Sequence, residues 1–355
     1  MDSLSQLALG AAVSVAVLAR RRPAGPGGPR PVALWKAAAW GAVAGTLPDL
    51  DVFIPQGDPI LDMVLHRAET HALFWLALFS LPFGWAVARA QGEQAQWRRW
   101  WAAMALALLT HPLLDAMTVY GTRLLLPFSD APLGLGSIFI IDPLYTLPLL
   151  LGVGLALALK GAAGRRANLL GLLLSTAYLG WSVAAQLQVT TLARAALQRQ
   201  GIAAERLLVT PTPFNTVLWR VLAVAPDAVH EGFHSLADAP GPLHFDRFER
   251  DAALDRRLAA ALDGQDTPTP ATLLREFSRG FYRVAAGEDG RSVLITDLRM
   301  GQEPFYTFSF VVAELAGAGL APVQPTRQVG TRPDLQRALQ WLWPRMWGQP
   351  LPPPR

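Results

Sequence analysis

Cysteine is absent from the 355 residues, which excludes disulfides, thiolate metal sites and a cysteine nucleophile. Charge is scarce: 16% of residues are Asp, Glu, Lys or Arg, against about 25% in typical soluble domains. There is no glycine-rich phosphate loop, no G-x-S-x-G elbow and no nucleic-acid module. No internal repeat is evident, although Thr-His occurs at both 70–71 and 110–111. A net charge of +4 and a pI near 9.8 would suit nucleic acid. The basic residues, however, stand in short clusters beside apolar runs rather than along one stripe, so no nucleic-acid partner is expected. The first apolar run is followed, not preceded, by positive charge, the reverse of a cleavable signal peptide.

What is abundant is apolar sequence: 52% of residues, with a mean hydropathy of +0.26. Six runs stand out: Leu4 to Ala19, Val32 to Leu47, Ala72 to Val87, Trp100 to Met117, Ile138 to Leu159 and Leu169 to Val189. Each approaches the ~20 residues that cross a bilayer. The expected fold is therefore a mainly α integral membrane protein, residues 1–190 forming a bundle of about six transmembrane helices. Basic clusters follow the first, third and fifth runs: Arg20-Arg21-Arg22, then Arg89, Arg98 and Arg99, then Lys160, Arg165 and Arg166. Acids and histidines follow the second and fourth. The positive-inside rule then puts the N-terminus and everything after Val189 on the extracytoplasmic side of a cytoplasmic (bacterial inner) membrane, with lipid as environment and possible substrate.

From residue 191 charges and turn residues return, and an extracytoplasmic α+β domain is expected over 191–348. Leu207 to Val209, Val217 to Val224, Phe281 to Val284, Val293 to Thr296 and Tyr306 to Val312 read as antiparallel strands. Phe245 to Leu262, Ala271 to Ser278 and Leu335 to Trp343 read as helices. The tail, 349–355, is proline-rich and expected to be loose. The sequence says nothing of oligomeric state.

Ionisable residues at the edge of lipid-length segments are costly unless they face a cavity, a partner or a metal. His66-Arg67-Ala68-Glu69-Thr70-His71 opens the third run, and Thr110-His111-Pro112-Leu113-Leu114-Asp115 lies near the end of the fourth. His111 and Asp115, four apart, share a helical face and can hold one ion; capping or mutual pairing is the plainer alternative. His66 and His71, five apart, lie about 140° around a helix and converge only if His66 is in a loop. Asp49, Asp51 and Asp142 are further candidate ligands, or acids that orient a ligand histidine. Arg67 or Arg123 suits a phosphate contact and Glu69 a general base, though for Arg67 and Glu69 taken singly solvated loop charges are the plainer reading. His230-Glu231-Gly232-Phe233-His234 matches H-E-x-x-H formally, but its surroundings suit a strand, where Glu231 would point away from both histidines. Trp219-Arg220 and Gly280-Phe281-Tyr282-Arg283 combine aromatics with guanidinium groups, as a lipid-headgroup site would, with strand packing the default.

Pro48-Asp49-Leu50-Asp51, His66-Arg67, Thr70-His71, His111 with Asp115, Tyr120-Gly121-Thr122, Pro127-Phe128-Ser129 and Asp142-Pro143 together resemble the YdjM-like family of membrane-bound, metal-dependent hydrolases over about residues 1–150. Pro211 to Asn215, Trp219-Arg220 and Asp297 to Gly301 look like the extension of its longer members. The resemblance implies an integral membrane hydrolase using zinc or a similar divalent ion, with a weaker similarity to zinc-dependent phospholipase C. One position departs: members commonly begin Met-Asp-x-Leu-Thr-His, and Gln6 stands where that histidine is expected. Positions 230 and 234 look aromatic in the family, which tells against the protease motif.

The leading expectation is thus a hydrolase of a lipid or other membrane-associated ester or phosphodiester, acting through metal-activated water. A non-enzymatic membrane protein with a structural or ion-handling His/Asp cluster is the alternative, and a zinc protease at 230–234 the third.

Overall fold

The computed structural model describes residues 1–19, 31–159, 161–262, 267–317 and 319–355; Arg20-Arg21-Arg22, the loop 23–30 and Lys160 lie outside them. The chain forms two compact units. One comprises Met1–Phe53, Arg67–Val183 and Pro213–Asn215; the other Ile54–His66, Ala184–Thr212 and Thr216–Arg355.

Helices come first in the chain: α1 (Ser3–Leu18), α2 (Leu34–Thr46), α3 (Pro59–Leu65), α4 (Leu73–Ala90), α5 (Trp97–Asp115), α6 (Pro143–Leu159) and α7 (Gly161–Arg199). In the first unit Asp2 caps α1 by accepting from the amides of Leu4 and Ser5. α1 and α2 meet through glycines: a Cβ on Gly10 or Gly41 would strike the other's carbonyl. That close approach is the way helices pack where solvent supplies no hydrophobic drive. Helix α5 packs on α1, α2 and α4, with Trp100, Met104 and Leu108 fully buried between them.

The expected six-span bundle is not what forms. Among the described residues only α4 and α7 are long and apolar enough to cross a membrane. Helices α1, α2 and α6 have 16, 13 and 17 residues. At about 1.5 Å per residue even the longest falls short of a hydrocarbon core of about 30 Å. The apolar runs overstate them because proline ends one helix early and starts another late. Pro48 turns the chain after α2 into a 3-10 segment, Leu47–Phe53, and α6 begins at Pro143 rather than Ile138. Helix α5 reaches 19 residues but carries Arg98 and Arg99 at one end and His111 and Asp115 at the other. The described residues form two bilayer-length helices with shorter apolar ones, followed by a large β-rich region.

The second unit holds two four-stranded antiparallel sheets. Strands β1 (Arg206–Pro211), β2 (Leu218–Val224), β3 (Ala228–Ser235) and β4 (Asp246–Glu249) pair in that order. After them come α8 (Ala252–Leu262), α9 (Pro270–Phe277), β5 (Tyr282–Ala286), β6 (Ser292–Asp297), the small hairpin β7 (Gly301–Gln302) and β8 (Phe305–Tyr306), β9 (Ser309–Ala316), β10 (Gly319–Gln328) and α10 (Leu335–Met346). The second sheet runs β10-β9-β6-β5. Every residue of β2 is buried. Trp219 and Val221 pack on Ala185, Val189, Ala193 and Ala196 of α7, while Leu222 joins Leu298 and Tyr306.

Two expectations change here. The helix predicted from Phe245 begins only at Ala252, where the Asp251 carboxylate accepts from the Leu254 amide; residues 246–249 instead form the edge strand β4. The tail is held rather than loose. Arg355 reaches Glu231 and Asp246 at 2.5 Å each, Trp341 Nε1 donates to the Leu351 carbonyl, and Gln302 Nε2 donates to the Pro354 carbonyl.

Candidate metal centre

The first unit brings together Asp49, His71, His111 and Asp115, whose ligand atoms all lie within 4.8 Å of one another. Asp49 comes from the 3-10 turn after α2 and His71 from a second 3-10 turn, Glu69–His71, directly before α4. His111 and Asp115 stand one turn apart at the end of α5. All but Asp49 are fully buried; the Asp49 side chain is 21% exposed.

Each imidazole is oriented from behind. His111 Nδ1 lies 2.6 Å from the Gly45 carbonyl, which can only accept, so Nδ1 carries the proton and Nε2 is left with its lone pair. Thr70 Oγ1 donates to Asp51 Oδ2 at 2.7 Å and thus accepts from His71 Nδ1 at 2.9 Å. His71 Nε2 keeps its lone pair in the same way. The two Nε2 atoms face each other at 3.1 Å. Asp115 Oδ2 lies 3.3 Å from each, and Asp49 Oδ1 lies 3.3 Å from His71 and 3.4 Å from His111. Five of the six edges of a tetrahedron are therefore 3.1–3.4 Å. The sixth, between Asp49 and Asp115, is within 4.8 Å. A regular tetrahedron with edges of about 3.3 Å has its centre about 2.0 Å from each corner, the bond length of small divalent cations to nitrogen and oxygen.

The electrostatics agree. Oδ1 of Asp115 is occupied by the Met1 amino group, Gln6 Nε2 at 3.1 Å and Arg67 Nη2 at 3.4 Å. Its Oδ2 is buried without a hydrogen bond and faces the centre. Four acceptors turned toward one point require positive charge there, a metal ion or protons on the imidazoles. With protons in that role, burial pushes the Asp49 carboxyl up, but hydrogen bonds from His111 and His71 outweigh it and hold the group well below the usual carboxylate range.

The remaining predicted residues fall around or away from this group. Asp51 stands behind His71, 3.7 Å from Nδ1, and also accepts from the Arg67 amide at 3.1 Å. Arg67 is buried with a left-handed φ of 65°; its guanidinium lies 4.8 Å from the Tyr120 ring and donates to Thr118 Oγ1 at 3.4 Å, while Nε has no partner. The Arg123 amide donates to the Arg67 carbonyl, and Arg123 Nε is likewise buried without a partner. His66 caps α3 and belongs to the second unit, outside the four-residue group. Glu69 is exposed. Asp142 starts α6, accepting from the Leu144 and Tyr145 amides and from the Tyr178 hydroxyl. Thr70 and Gly45 were not expected at the site; Thr70, directly before His71, carries a sequence signal, and Gln6 stood out only as a departure from the family pattern.

Among known families, the YdjM inner membrane protein family matches residues 1–189, more than half the chain. The chain belongs to that family. Neither curated proteins nor solved structures gave a match. All four grouped residues of this YdjM chain lie within the matched segment, and the family's description makes it a membrane protein. Gln6, where the family pattern reads histidine, reaches the same group: its Nε2 donates to Asp115 and to the His111 carbonyl at 3.2 Å.

The H-E-x-x-H stretch of the YdjM chain lies on β3. Four residues along a strand separate His230 and His234 by about 13 Å, too far to share one ion. Glu231 points to the opposite face, buried, pairing with Arg220 at 2.7 Å.

Proposed function

We propose that this YdjM protein is a metal-dependent hydrolase of a membrane-associated ester or phosphodiester, with a lipid as the substrate class. The observation that carries the reading is the orphaned Asp115 Oδ2, turned with two Nε2 lone pairs and Asp49 toward one point. Two imidazoles and two carboxylates without thiolate suit zinc. A zinc ion held there would lower the pKa of a bound water toward 7 and polarise the bond under attack.

The chain's own residues supply the rest. Asp49, alone of the four partly exposed, stands where water and substrate enter. With His71, His111 and Asp115 as the three ligands that hold the ion, Asp49 would be left to take the water's proton, better placed for it than Glu69. Arg67, with Nε unpartnered and its backbone pinned through Asp51 and Arg123, holds a phosphoryl oxygen; Arg123 is a second candidate. Beside Asp49, Leu50, Val52 and Phe53 are exposed, an apolar surface that suits acyl chains. Arg89 ends α4 and Arg165 and Arg166 begin α7, so the positive-inside rule puts the His71 end of α4 on the extracytoplasmic side, where the chain after α7 also starts.

The test is gentle purification in detergent, elemental analysis, and lipid mixtures read by mass spectrometry. Hydrolysis abolished by chelator, restored by zinc and lost together with the metal in His111→Ala is expected. Metal-free protein, or His111→Ala behaving as wild type, sinks the reading. A second reading, a structural ion site, is favoured by four protein donors already completing a tetrahedron. It predicts bound metal and no hydrolysis of any lipid class.

A further inference from the structure

The second unit contains an open cavity of about 900 Å³ between the end of α7, the start of β1 and the turn after α9. Three arginines line it, Arg194, Arg206 and Arg279, with one carboxylate, Glu205, among the lining residues. None of the three has an ion-pair partner among the described residues; Arg206 Nη1 donates only to the Glu205 carbonyl, at 3.5 Å. Arg279 and Gly280 are consecutive left-handed residues, φ 56° and 83°. This conformation is disfavoured for a residue with a Cβ, so backbone preference alone does not account for an arginine there. Glycine at 280 leaves room for Arg206, whose Nε lies 3.2 Å from where a Cβ would stand. The turn thus sets Gly280 against the Arg206 side chain, while Arg279 lines the same cavity. Leu197 and Phe281 give the cavity an apolar wall.

We propose that this cavity is a binding site for the phosphate group of an anionic amphiphile. Guanidinium forks match phosphate oxygens bidentately, and three of them against one carboxylate leave a net positive pocket that a zwitterion does not neutralise. The apolar wall suits the glycerol and first acyl carbons of a lipid. Arg194 and Leu197 also stand in the last turns of α7, one of the two bilayer-length helices, which favours a lipid headgroup over a soluble phosphate.

The experiment uses the full-length protein in a non-ionic detergent with chelator present, so that the metal centre does not contribute. Dihexanoyl phosphatidylglycerol, dihexanoyl phosphatidylcholine, glycerol 3-phosphate and inorganic phosphate are titrated by calorimetry. Saturable binding of the phosphatidylglycerol is expected, at least tenfold weaker with phosphatidylcholine and in a variant carrying Arg194→Gln, Arg206→Gln and Arg279→Asn. Asparagine keeps the left-handed turn. If the triple variant has a lowered Tm, Arg194→Gln alone, on an exposed helix face, decides, with at least a threefold loss expected. Equal affinity for glycerol 3-phosphate or inorganic phosphate supports a phosphate site and assigns it to a soluble source. No saturable binding of any phosphate-bearing probe, or undiminished binding by the folded variants, overturns the proposal.

Discussion

At the scale of single residues, Glu231 shows how a motif can mislead. Its carboxylate is buried and accepts from Arg220 Nε and Arg355 Nη1, with the Glu303 amide at 3.3 Å. Arg220 in turn donates to the Leu298 carbonyl and the Tyr306 hydroxyl. Glu231→Gln leaves a buried guanidinium uncompensated, and a stability loss of about 3 kcal/mol is expected from urea titration followed by circular dichroism. A protease would lose peptide cleavage with stability intact. His234 gives a pH effect. Burial lowers its pKa, Asp238 at 3.3 Å raises it less, and Arg345 lowers it further. The unfolded chain therefore takes up the proton first. The stability this group contributes is complete above its ordinary value of 6.5 and is lost as pH falls below it. His234→Gln is expected to flatten the fall in Tm between pH 7 and 5, and an unchanged profile would refute this. The candidate site was half legible at this scale. The i, i+4 spacing of His111 and Asp115 pointed to one ion, whereas nothing in the spacing of His66 and His71 told which would turn inward. Thr70 and Asp51 settle that by fixing the His71 tautomer, a matter of three-dimensional contact.

At the scale of elements, hydrophobicity marked where helices form but neither how far they run nor which side chains they bury: Leu147, Leu151 and Leu155 of α6 are exposed. The run ending at Leu47 is apolar but for Lys36 and Thr46, yet its helix stops where Pro48 forbids another turn. Glycines 10 and 41 then let two short helices approach to backbone contact. Gly41→Val places methyl groups against the Gly10 carbonyl and Ser14, and a loss of about 1–3 kcal/mol is expected, measured as a lowered Tm in detergent. Wild-type stability in that variant would mean α1 and α2 do not pack this way. The strands were readable from alternation and aromatic content, and β2, β5 and β6 fall within a residue or two of where the pattern placed them. The edge strand β4 was missed because Phe245 to Leu262 has continuous charge, and only the Asp251 cap marks where helix begins.

For the whole molecule, composition divides an apolar, charge-poor first half from a second half where charges and turns recur, but the two packed units interleave: Ile54–His66 belongs to the second and Pro213–Asn215 to the first. What composition could not supply was the number of spans, since segment length depends on where prolines and caps cut each run. An ion bound only by the folded first unit stabilises it by mass action, about 2.7 kcal/mol at one hundred times its Kd. Chelator is therefore expected to lower the Tm of wild type, zinc to restore it, and neither to move His111→Ala. A wild-type Tm indifferent to both would argue against a resident ion.

The carbonyl of Gly45 has a quieter consequence. By claiming one ring nitrogen of His111, as Thr70 does for His71, it leaves a pair of bases aimed at each other with two acids alongside. Such a nest is never neutral to its surroundings: it holds hydrogen ions until something of higher charge evicts them. Filling it is an exchange, and acidification of the compartment it faces favours emptying it.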